Sequence, residues 1–352
     1  MSTLLERAAA ARKAVEQESA GSAPDGMRDQ FGRRIEYLRV SVTDKCNLRC
    51  VYCMPEGGLP WLRRDELLTY EEIATIIRVM AGMGLRRVRI TGGEPLVRRD
   101  LVRLVEMIRA IPEIEDIALS TNAVLLAPVT EELRRAGVAR VNISLDSLIP
   151  ERVDAIARRP GSYPRIMEGI AAAERAGFDP IKINTVIMRG RNDDEIEAFA
   201  RMTLDRPWHV RFIEVMPVGE NLDVAAREFV SANEMLARVR RIGRIEPVAG
   251  PAGNGPATYF RFPGAPGTVG VITPMSHNYC ERCNRMRLTA SGELRPCLFG
   301  ALQTDLRGPL RRGEPIEPLI RHTLAVKPAR HFLLQGSAAG SGGLLALSQV
   351  GG

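Results

Sequence analysis

A regular alternation of strand-like and helix-like segments is the feature that most constrains the fold of this 352-residue chain. Short runs rich in Val, Ile and Leu predict six strands, at 35–43, 87–91, 116–120, 140–145, 181–187 and 209–214. Amphipathic periodicity predicts helices between them, for instance at 69–83, 100–110, 128–136, 163–176 and 193–204. Strand–helix units repeated in this way predict an α/β fold with a parallel sheet and helices outside it.

The beginning of the chain has a different composition. Residues 1–18 are rich in Ala, Glu and Arg, and residues 19–30 are rich in Gly, Ser, Pro and Asp. This pattern predicts a frayed helix followed by a linker. Three acidic residues, Glu6, Glu16 and Glu18, argue against an organelle transit peptide. We therefore expect a flexible N-terminal extension at 1–30.

Six cysteines fall into two groups of three, and the first group is the tighter one. Cys46, Cys50 and Cys53 suit three irons of a four-iron cube, whose fourth iron would keep a position open for a ligand. Zinc is the main alternative, but it needs four protein ligands and no nearby Cys or His supplies the fourth. Disulfide frameworks belong to small secreted domains, whereas we find no signal peptide and no apolar run that could span a bilayer. An iron–sulfur site is favoured.

The second group, Cys280, Cys283 and Cys297, again offers three thiolates. Zinc is a stronger alternative here, because His277 lies three residues before Cys280 and could complete a four-ligand site. Arg285 and Arg287 follow at alternate positions and project to one side if this stretch is extended. Paired guanidinium groups suit phosphate oxygens. The second group thus combines a metal site, of iron–sulfur or zinc type, with a candidate phosphate site.

Charge and aromatic content narrow the class of ligand. The chain has 49 Lys and Arg against 42 Asp and Glu, a net charge of +7, which favours an anionic ligand but would also suit a nucleic-acid surface. With two Trp, six Tyr and nine Phe, the chain has few aromatic side chains on which the bases of a single-stranded nucleic acid could stack. We expect neither a nucleic acid nor a membrane as partner.

Polar motifs follow the first four predicted strands. The first cysteine group comes after the first strand, and Gly92-Gly93-Glu94, Ser120-Thr121-Asn122 and Ser144-Leu145-Asp146 come after the next three. The C-terminal ends of parallel strands meet at one edge, where barrels carry their active residues. The glycine pair would let the backbone approach a ligand, although a tight turn explains the pair alone equally well. We expect these loops to form one site.

Together these motifs resemble a known family. Cys-x3-Cys-x2-Cys with the aromatic Tyr52 before its last cysteine resembles the signature of radical S-adenosylmethionine (SAM) enzymes. Thr91-Gly92-Gly93-Glu94-Pro95, the run 280–287 with Cys297, and Gly351-Gly352 make the chain similar to the GTP 3′,8-cyclase family from about residue 31 onward. The resemblance implies a partial (β/α)6 TIM-like radical SAM barrel at 31–218. It also implies a C-terminal domain at 219–352, a cluster-binding extension with the second iron–sulfur site and a Gly-Gly tail.

The resemblance further implies a set of site residues. Two [4Fe-4S] clusters would be held by Cys46, Cys50, Cys53, Cys280, Cys283 and Cys297. SAM would contact Tyr52, Gly93, Ser144 and Met216. GTP would contact Arg39, Arg89, Ser120, Lys182, Arg285, Met286 and Arg287. Catalysis would involve Arg285, Arg287, Gly351 and Gly352, the glycines as a tail that reaches the substrate. Ser120 stands where the family often has threonine, and Ala123 where glycine is common.

The implied activity is that of a cytoplasmic lyase in molybdenum cofactor (molybdopterin) biosynthesis. A 5′-deoxyadenosyl radical from SAM would remove the C3′ hydrogen of GTP, and ring closure at C8 would give (8S)-3′,8-cyclo-7,8-dihydroguanosine 5′-triphosphate. The implied partners are a reducing electron donor and a downstream cyclic pyranopterin monophosphate synthase, with the enzyme a monomer or homodimer. Two alternatives stay open: a radical SAM peptide maturase with an auxiliary cluster, and a zinc-stabilised nucleic-acid-binding protein.

Overall fold

The alternation of strands and helices predicted from the sequence is present in the computed structural model, which describes residues 26–219, 222–251, 255–331 and 346–351. The strands are β1 Tyr37–Ser41, β2 Arg87–Thr91, β3 Asp116–Thr121, β4 Arg140–Ser144, β5 Ile181–Ile187, β6 His209–Glu214, β7 Glu246–Val248, β8 Thr258–Arg261, β9 Thr268–Ile272, β10 Arg285–Leu288, β11 Glu293–Arg295 and β12 Thr304–Asp305. The helices are α1 Tyr70–Met83, α2 Leu101–Arg109, α3 Thr130–Ala136, α4 Pro150–Ala157, α5 Ser162–Arg175, α6 Ile196–Asp205, α7 Leu222–Arg227, α8 Ala232–Val239, α9 Arg307–Arg311, α10 Glu317–Ala325 and α11 Leu347–Val350.

Helix α1 illustrates how local chemistry sets these bounds. The Thr69 hydroxyl accepts a hydrogen bond from the backbone N–H of Glu72 at 3.1 Å, and the Glu72 carboxylate accepts one from the Thr69 N–H at 2.7 Å. This reciprocal pair satisfies two N–H groups that the first turn leaves without helical partners. Gly84 ends the helix at a φ of +121°, which glycine adopts without strain. Thr69 is therefore the cap of α1 and not its first residue.

The described strands form one sheet in the order β12-β11-β10-β1-β2-β3-β4-β5-β6-β9-β8-β7. The strands from β10 through β1–β6 to β9 are parallel. At both ends the sheet continues with antiparallel strands. The sheet therefore runs without a break past residue 218, where the sequence suggested a domain boundary, and the later strands extend both of its edges.

The two faces of the central strands differ in polarity. One face carries apolar residues such as Leu38, Val88 and Ile183, which are fully buried in the core under the helices. Full burial of each such side chain contributes about 1.5–3 kcal/mol, and a one-residue slip would expose the whole set. The other face carries Arg39, Arg89, Asn142, Lys182 and Arg211, which alternate with the apolar positions.

The polar face is the inside of a curled sheet. Arg211 in β6 donates a 2.7 Å hydrogen bond to the Asn142 amide oxygen in β4, over the intervening β5. The pKa of Arg89, in β2, is lowered mainly by burial. The charge of Arg211 is close enough to lower it further. Strands four steps apart in a flat sheet would be separated by about 19 Å. The α/β barrel-like fold expected from the sequence is thus confirmed, and we call the space inside the curl the lumen.

Residues 26–30, which the sequence assigned to a flexible extension, pack on this body. Met27 and Asp29 are buried, and the Asp29 carboxylate accepts a 2.5 Å hydrogen bond from Arg33 Nε. Arg33 in turn donates to the carbonyl oxygens of Cys280 and Pro328. Residues 1–25 lie outside the described residues. Among the helices of the described ranges, none has the length and apolarity needed to cross a bilayer.

Candidate active site

The first cysteine group lies in a cavity at the C-terminal edge of the parallel strands. Cys46, Cys50 and Cys53 line it from the loop after β1, and Tyr52 lies between them. The ends of the next strands and the chain's tail complete the lining with Thr91, Gly92, Gly93, Glu94, Ser120, Thr121, Asn122, Ser144, Leu347 and Ser348. The loops that the sequence predicted to be neighbours therefore do meet here.

The glycine pair has a packing reason that the sequence did not reveal. A methyl group on Gly93 would lie 2.4 Å from the Lys45 carbonyl oxygen and 2.6 Å from that of Asp44. One on Gly92 would lie 2.7 Å from the Thr43 carbonyl oxygen. Backbone hydrogen bonds join the two segments, from Gly93 N to Thr43 O at 2.7 Å and from Glu94 N to Lys45 O at 2.8 Å. The absence of side chains lets the turn after β2 hold the loop that carries Cys46.

Two buried carboxylates flank this cavity. Glu94 accepts hydrogen bonds from Thr121 Oγ1 at 2.8 Å and from the Asn122 N–H at 2.7 Å, and burial raises its pKa to about 7. Asp146 accepts from the Tyr52 hydroxyl at 2.8 Å and from the Val186 N–H at 2.9 Å, and burial raises its pKa to about 6. Asp146 thereby fixes the ring that precedes Cys53 against the barrel. Sequence reasoning missed this role.

The second cysteine group lines a second cavity. Its walls are Tyr279, Cys280, Cys283, Arg285, Arg287, Pro296, Cys297, Leu298, Phe299 and His331. The first two cysteines bracket a 3-10 turn just before β10, and the third follows β11. His277, the possible zinc ligand, is exposed, and His331 lines the cavity instead. His331 Nε2 lies 3.0 Å from the Pro274 carbonyl oxygen, so that nitrogen carries the proton.

The donor sets fit iron–sulfur cubes better than single ions. All six cysteines are free thiols. Within the described ranges, no three His, Cys, Asp or Glu side chains converge as the ligands of one ion do. A cube binds each thiolate through a different iron, so its ligands stand farther apart than those of zinc. Burial raises the pKa of Cys46 to about 11 and that of Cys53 to about 12, so these thiols ionise only when a metal compensates the charge.

The two cavities approach each other across an apolar cluster. Val218, Phe299 and Leu347 form its buried centre. Tyr52 and Cys53 pack on it from the first cavity, Cys297 and Leu298 pack on it from the second, and Met216 packs on it as well. Met216, predicted as a SAM contact, therefore lies at the junction of the two cavities.

The lumen holds a dense group of cations. Arg39 pairs in register with Arg89 on one side and with Arg287 on the other. Burial, and then the charges of Arg211, Arg140 and Arg89, lower the pKa of Lys182 to about 6. Burial, and then the charge of Arg285, lower the pKa of Arg287 to about 10. Asp116 is bound by Arg140 and partly offsets this charge. These side chains repel one another, which makes the lumen suited to a polyanion.

Unsatisfied polar atoms support a ligand in the lumen. Among the described residues, several buried atoms without a hydrogen-bond partner lie on lumen-facing positions or beside them: Tyr37 Oη, Arg89 Nε, Arg140 Nε, Asn184 Oδ1, Arg211 Nε, Asn284 Oδ1 and Arg285 Nε. Each such atom costs about 1–3 kcal/mol when nothing binds it. A ligand with many acceptor oxygens would relieve most of them.

The predicted GTP contacts do not all lie in one place. Arg39, Arg89 and Lys182 face the lumen, Arg285 and Arg287 line the second cavity, and Ser120 lines the first. Met286 instead is buried in the core, on the face of β10 opposite the two arginines that flank it. The Met286 side chain therefore does not line the second cavity with Arg285 and Arg287. Only the Met286 backbone is left to contact GTP.

Arg211 and Asn142 are lumen residues that sequence reasoning missed. Both are buried, and Arg211 contacts β9 where Gly270 leaves room, since a methyl group there would lie 3.1 Å from Arg211 Cγ. A usable signal was present in the sequence: Arg211 is a charge between two apolar residues in the middle of a strand, as Arg89 is.

The tail lies between both cavities and the lumen. The Ser348 backbone N–H donates to the Cys53 thiol. The Gly351 carbonyl oxygen accepts from Arg39 Nε at 3.1 Å and from Arg287 Nη1. Gly351 has a φ of +72°, and a methyl group on it would lie 2.7 Å from Thr91 Cγ2. Gly352, and the Gly- and Ala-rich stretch 336–345, lie outside the described residues.

Comparisons with known proteins agree with this geometry. The model of the Radical SAM superfamily matches residues 40–203, and that of Molybdenum Cofactor Synthesis C matches residues 208–333. A protein named GTP 3′,8-cyclase from Pelotomaculum thermopropionicum is 50% identical, over 88% of this chain and 96% of its own length. A protein of the same name from Moorella thermoacetica is 47% identical, over 93% of this chain and 100% of its own length.

Solved structures share the fold. Streptococcus suis SuiB bound to S-adenosylmethionine superposes with a TM-score of 0.56, at 14% identity, over 77% of this chain and 63% of its own. SuiB bound to the precursor peptide SuiA gives a TM-score of 0.55 at 14% identity, over 85% and 65%. This chain thus spans less than two thirds of SuiB, and the likeness concerns the fold alone. The sequence relatives extend over most of both chains and share one name. The chain therefore belongs to the GTP 3′,8-cyclase family of radical SAM enzymes.

Proposed function

We propose that this chain cyclises GTP to (8S)-3′,8-cyclo-7,8-dihydroguanosine 5′-triphosphate, the first step of molybdenum cofactor biosynthesis. Membership of the cyclase family supports this activity. The observation that carries it at the level of the site is the cationic lumen. It adjoins the second cysteine cavity and shares Arg287 with it.

The lumen cations are the proposed phosphate site. Arg39, Arg89, Lys182 and Arg211 would surround the triphosphate, whose negative charge offsets their mutual repulsion. Arg285 and Arg287, on one face of β10, would hold the part of GTP nearest the second cysteine group. This arrangement would place the nucleotide lengthwise between the two cysteine sites, with its ribose toward the first.

Two [4Fe-4S] clusters and SAM are the cofactors of this enzyme, and the free thiols fit them. When bound, the first cluster and SAM would supply the radical chemistry that removes the hydrogen at C3′ of GTP, and Cys46, Cys50 and Cys53 would hold that cluster. The protein itself contributes in two ways: it orients SAM and it keeps water out of the site. The segment around Gly93, with Ser144 and Met216, would orient SAM, while Val218, Phe299 and Leu347 exclude water between the cavities.

The deciding experiment is anaerobic incubation of the reconstituted full-length protein with GTP, SAM and dithionite, followed by mass analysis of the products. We expect the cyclised triphosphate together with 5′-deoxyadenosine. A Cys50→Ala variant is the control and should form neither. Formation of 5′-deoxyadenosine with a peptide substrate, without any cyclised nucleotide from GTP, would instead assign the chain to the peptide maturases.

We further propose a cytoplasmic location, because cluster-ligating thiols need a reducing compartment and the described cysteines form no disulfide. A one-electron reductant would feed the first cluster, and a cyclic pyranopterin monophosphate synthase would consume the product. The enzyme would act as a monomer or homodimer, which light scattering of the reconstituted protein at micromolar concentration would distinguish.

A further inference from the structure

Lys327 is a buried lysine that no step of the proposed reaction uses. It follows helix α10 and exposes 2% of its surface. Its Nζ donates to the Arg285 carbonyl oxygen at 3.0 Å and to the Pro296 carbonyl oxygen. The first of these carbonyls lies two residues after Cys283, and the second belongs to the residue just before Cys297. One amine therefore joins the two segments that carry these cysteines.

The position of this amine is costly unless negative charge lies close to it. No ion pair of the described residues includes Lys327. A buried ammonium held only by carbonyl dipoles keeps much of its desolvation penalty. The nearest anions would be the thiolates, because the two carbonyls that bind the amine belong to residues close to Cys283 and Cys297 in the chain. Three thiolates and the cube that they bind would supply the missing counter-charge.

Both cysteine sites have cations beside them, but the first also has buried carboxylates. Glu94 and Asp146 are these carboxylates, and Arg49 donates to the Cys46 carbonyl oxygen at 2.7 Å. The second site is approached by the cations of Lys327, Arg285 and Arg33, the last through a 2.8 Å hydrogen bond to the Cys280 carbonyl oxygen. A cluster takes on one negative charge when it is reduced, so a nearby cation favours the reduced form and raises the reduction potential.

We propose that Lys327 is a positioning residue for the cluster at the second cysteine site. It clamps the segments that carry Cys283 and Cys297, and it holds beside them a positive charge that raises the reduction potential of the cluster. The inference rests on the proposed function only in requiring an iron–sulfur cluster at this site.

The test uses the full-length chain with Cys46, Cys50 and Cys53 all replaced by Ala, so that only the second site can hold iron. Into this parent we would introduce Lys327→Met, which removes donors and charge, Lys327→Gln, which keeps amide donors without charge, and Lys327→Arg, which keeps both. Arg330→Met is the matched control, because Arg330 lies in the same segment but is exposed and pairs with Glu281. Iron and sulfide content, and the reduction potential by EPR-monitored titration, are measured for each.

We expect Lys327→Met to fall from about four irons per chain toward none. Lys327→Gln should keep more iron than Lys327→Met but show a lower reduction potential than the parent. Lys327→Arg should keep the potential closer to that of the parent, and Arg330→Met should change neither quantity. Circular dichroism checks folding, and if Lys327→Met does not fold, the potential of Lys327→Gln decides.

Parental iron content and potential in both Lys327→Met and Lys327→Gln would overturn the role of Lys327 alone, leaving the cyclase assignment intact. An iron-free second site in the parent would overturn both the cluster and the role. Turnover of GTP by the wild-type enzyme is measured separately. It shows whether the proposed cyclase function stands when the role of Lys327 fails.

Discussion

At the scale of single residues, Lys182 is the lumen side chain whose charge depends most on what is bound. Burial and the neighbouring Arg211, Arg140 and Arg89 lower its pKa to about 6 in the ligand-free protein, so the amine is mostly neutral above neutral pH. A bound triphosphate would raise this pKa toward its ordinary range, since an adjacent anion favours the ammonium form. Binding should therefore take up a proton at Lys182.

This coupling predicts a pH dependence with a definite sign. Between the ligand-free pKa of about 6 and the higher pKa of the complex, the Kd for GTP should rise with pH by up to about tenfold per pH unit. Calorimetry in buffers of different ionisation enthalpy, from pH 7 to 9, measures both Kd and proton uptake. Lys182→Met is the control, because it keeps the titration of the phosphate itself. Equal pH slopes for wild type and Lys182→Met would contradict the prediction.

The arginines of β10 give a second residue-scale prediction. Arg285→Ala or Arg287→Ala should each weaken GTP binding by about 1.5–3 kcal/mol, the value of one charge-assisted hydrogen bond, and so raise Kd about tenfold to a hundredfold. Met286→Leu is a matched control on the same strand, because the Met286 side chain faces the core and the change conserves its volume. Isothermal titration measures all three. Unchanged affinity in both arginine variants would remove them from the site.

At the scale of elements, the turn after β2 supports the first cysteine loop through backbone contact. Gly93→Ala should displace that loop, because the new methyl group would lie 2.4 Å from the Lys45 carbonyl oxygen. We expect loss of iron from the first site and a fall of about 1–3 kcal/mol in the free energy of unfolding. Gly57→Ala, in the connection after β1 that carries the cysteines but with open space around it, should do neither. Iron analysis and denaturant unfolding provide the readouts; full iron loading in Gly93→Ala would refute the supporting role.

The elements also show which parts of the fold a sequence can reveal. The six alternating strands and their helices were predictable because the apolar periodicity is local, and helix α1 differed only at its cap, Thr69. The pairing of β10 with β1 was not predictable, because it joins Tyr37 to Arg285 and no local pattern encodes so distant a partner. The grouping of the cysteines could be predicted from their spacing, and each group of three does line one cavity. Met286 shows the limit: its neighbours carried the motif, but alternation along β10 turns its side chain into the core.

At the scale of the whole molecule, the tail joins the two halves of the site. Gly351→Ala should dislodge it, because alanine is strained at a φ of +72° by about 1–2 kcal/mol and its methyl group would meet Thr91 Cγ2 at 2.7 Å. We expect GTP cyclisation to be lost while both clusters assemble and SAM still binds. Product mass, iron content and SAM binding are measured on the same preparation. Wild-type turnover in this variant would show that the tail has no part in the reaction.

The contact between the tail and the arginines has a consequence for the cost of binding. The Gly351 carbonyl oxygen accepts hydrogen bonds from Arg39 and Arg287 and so orders their guanidinium groups. An ordered arginine has already lost the rotamer freedom, about 0.5–1.5 kcal/mol per side chain, that a ligand would otherwise have to remove. A nucleotide arriving in the lumen thus meets two arginine side chains that are already ordered. The loss of rotamer freedom of these two arginines therefore belongs to folding and not to substrate binding.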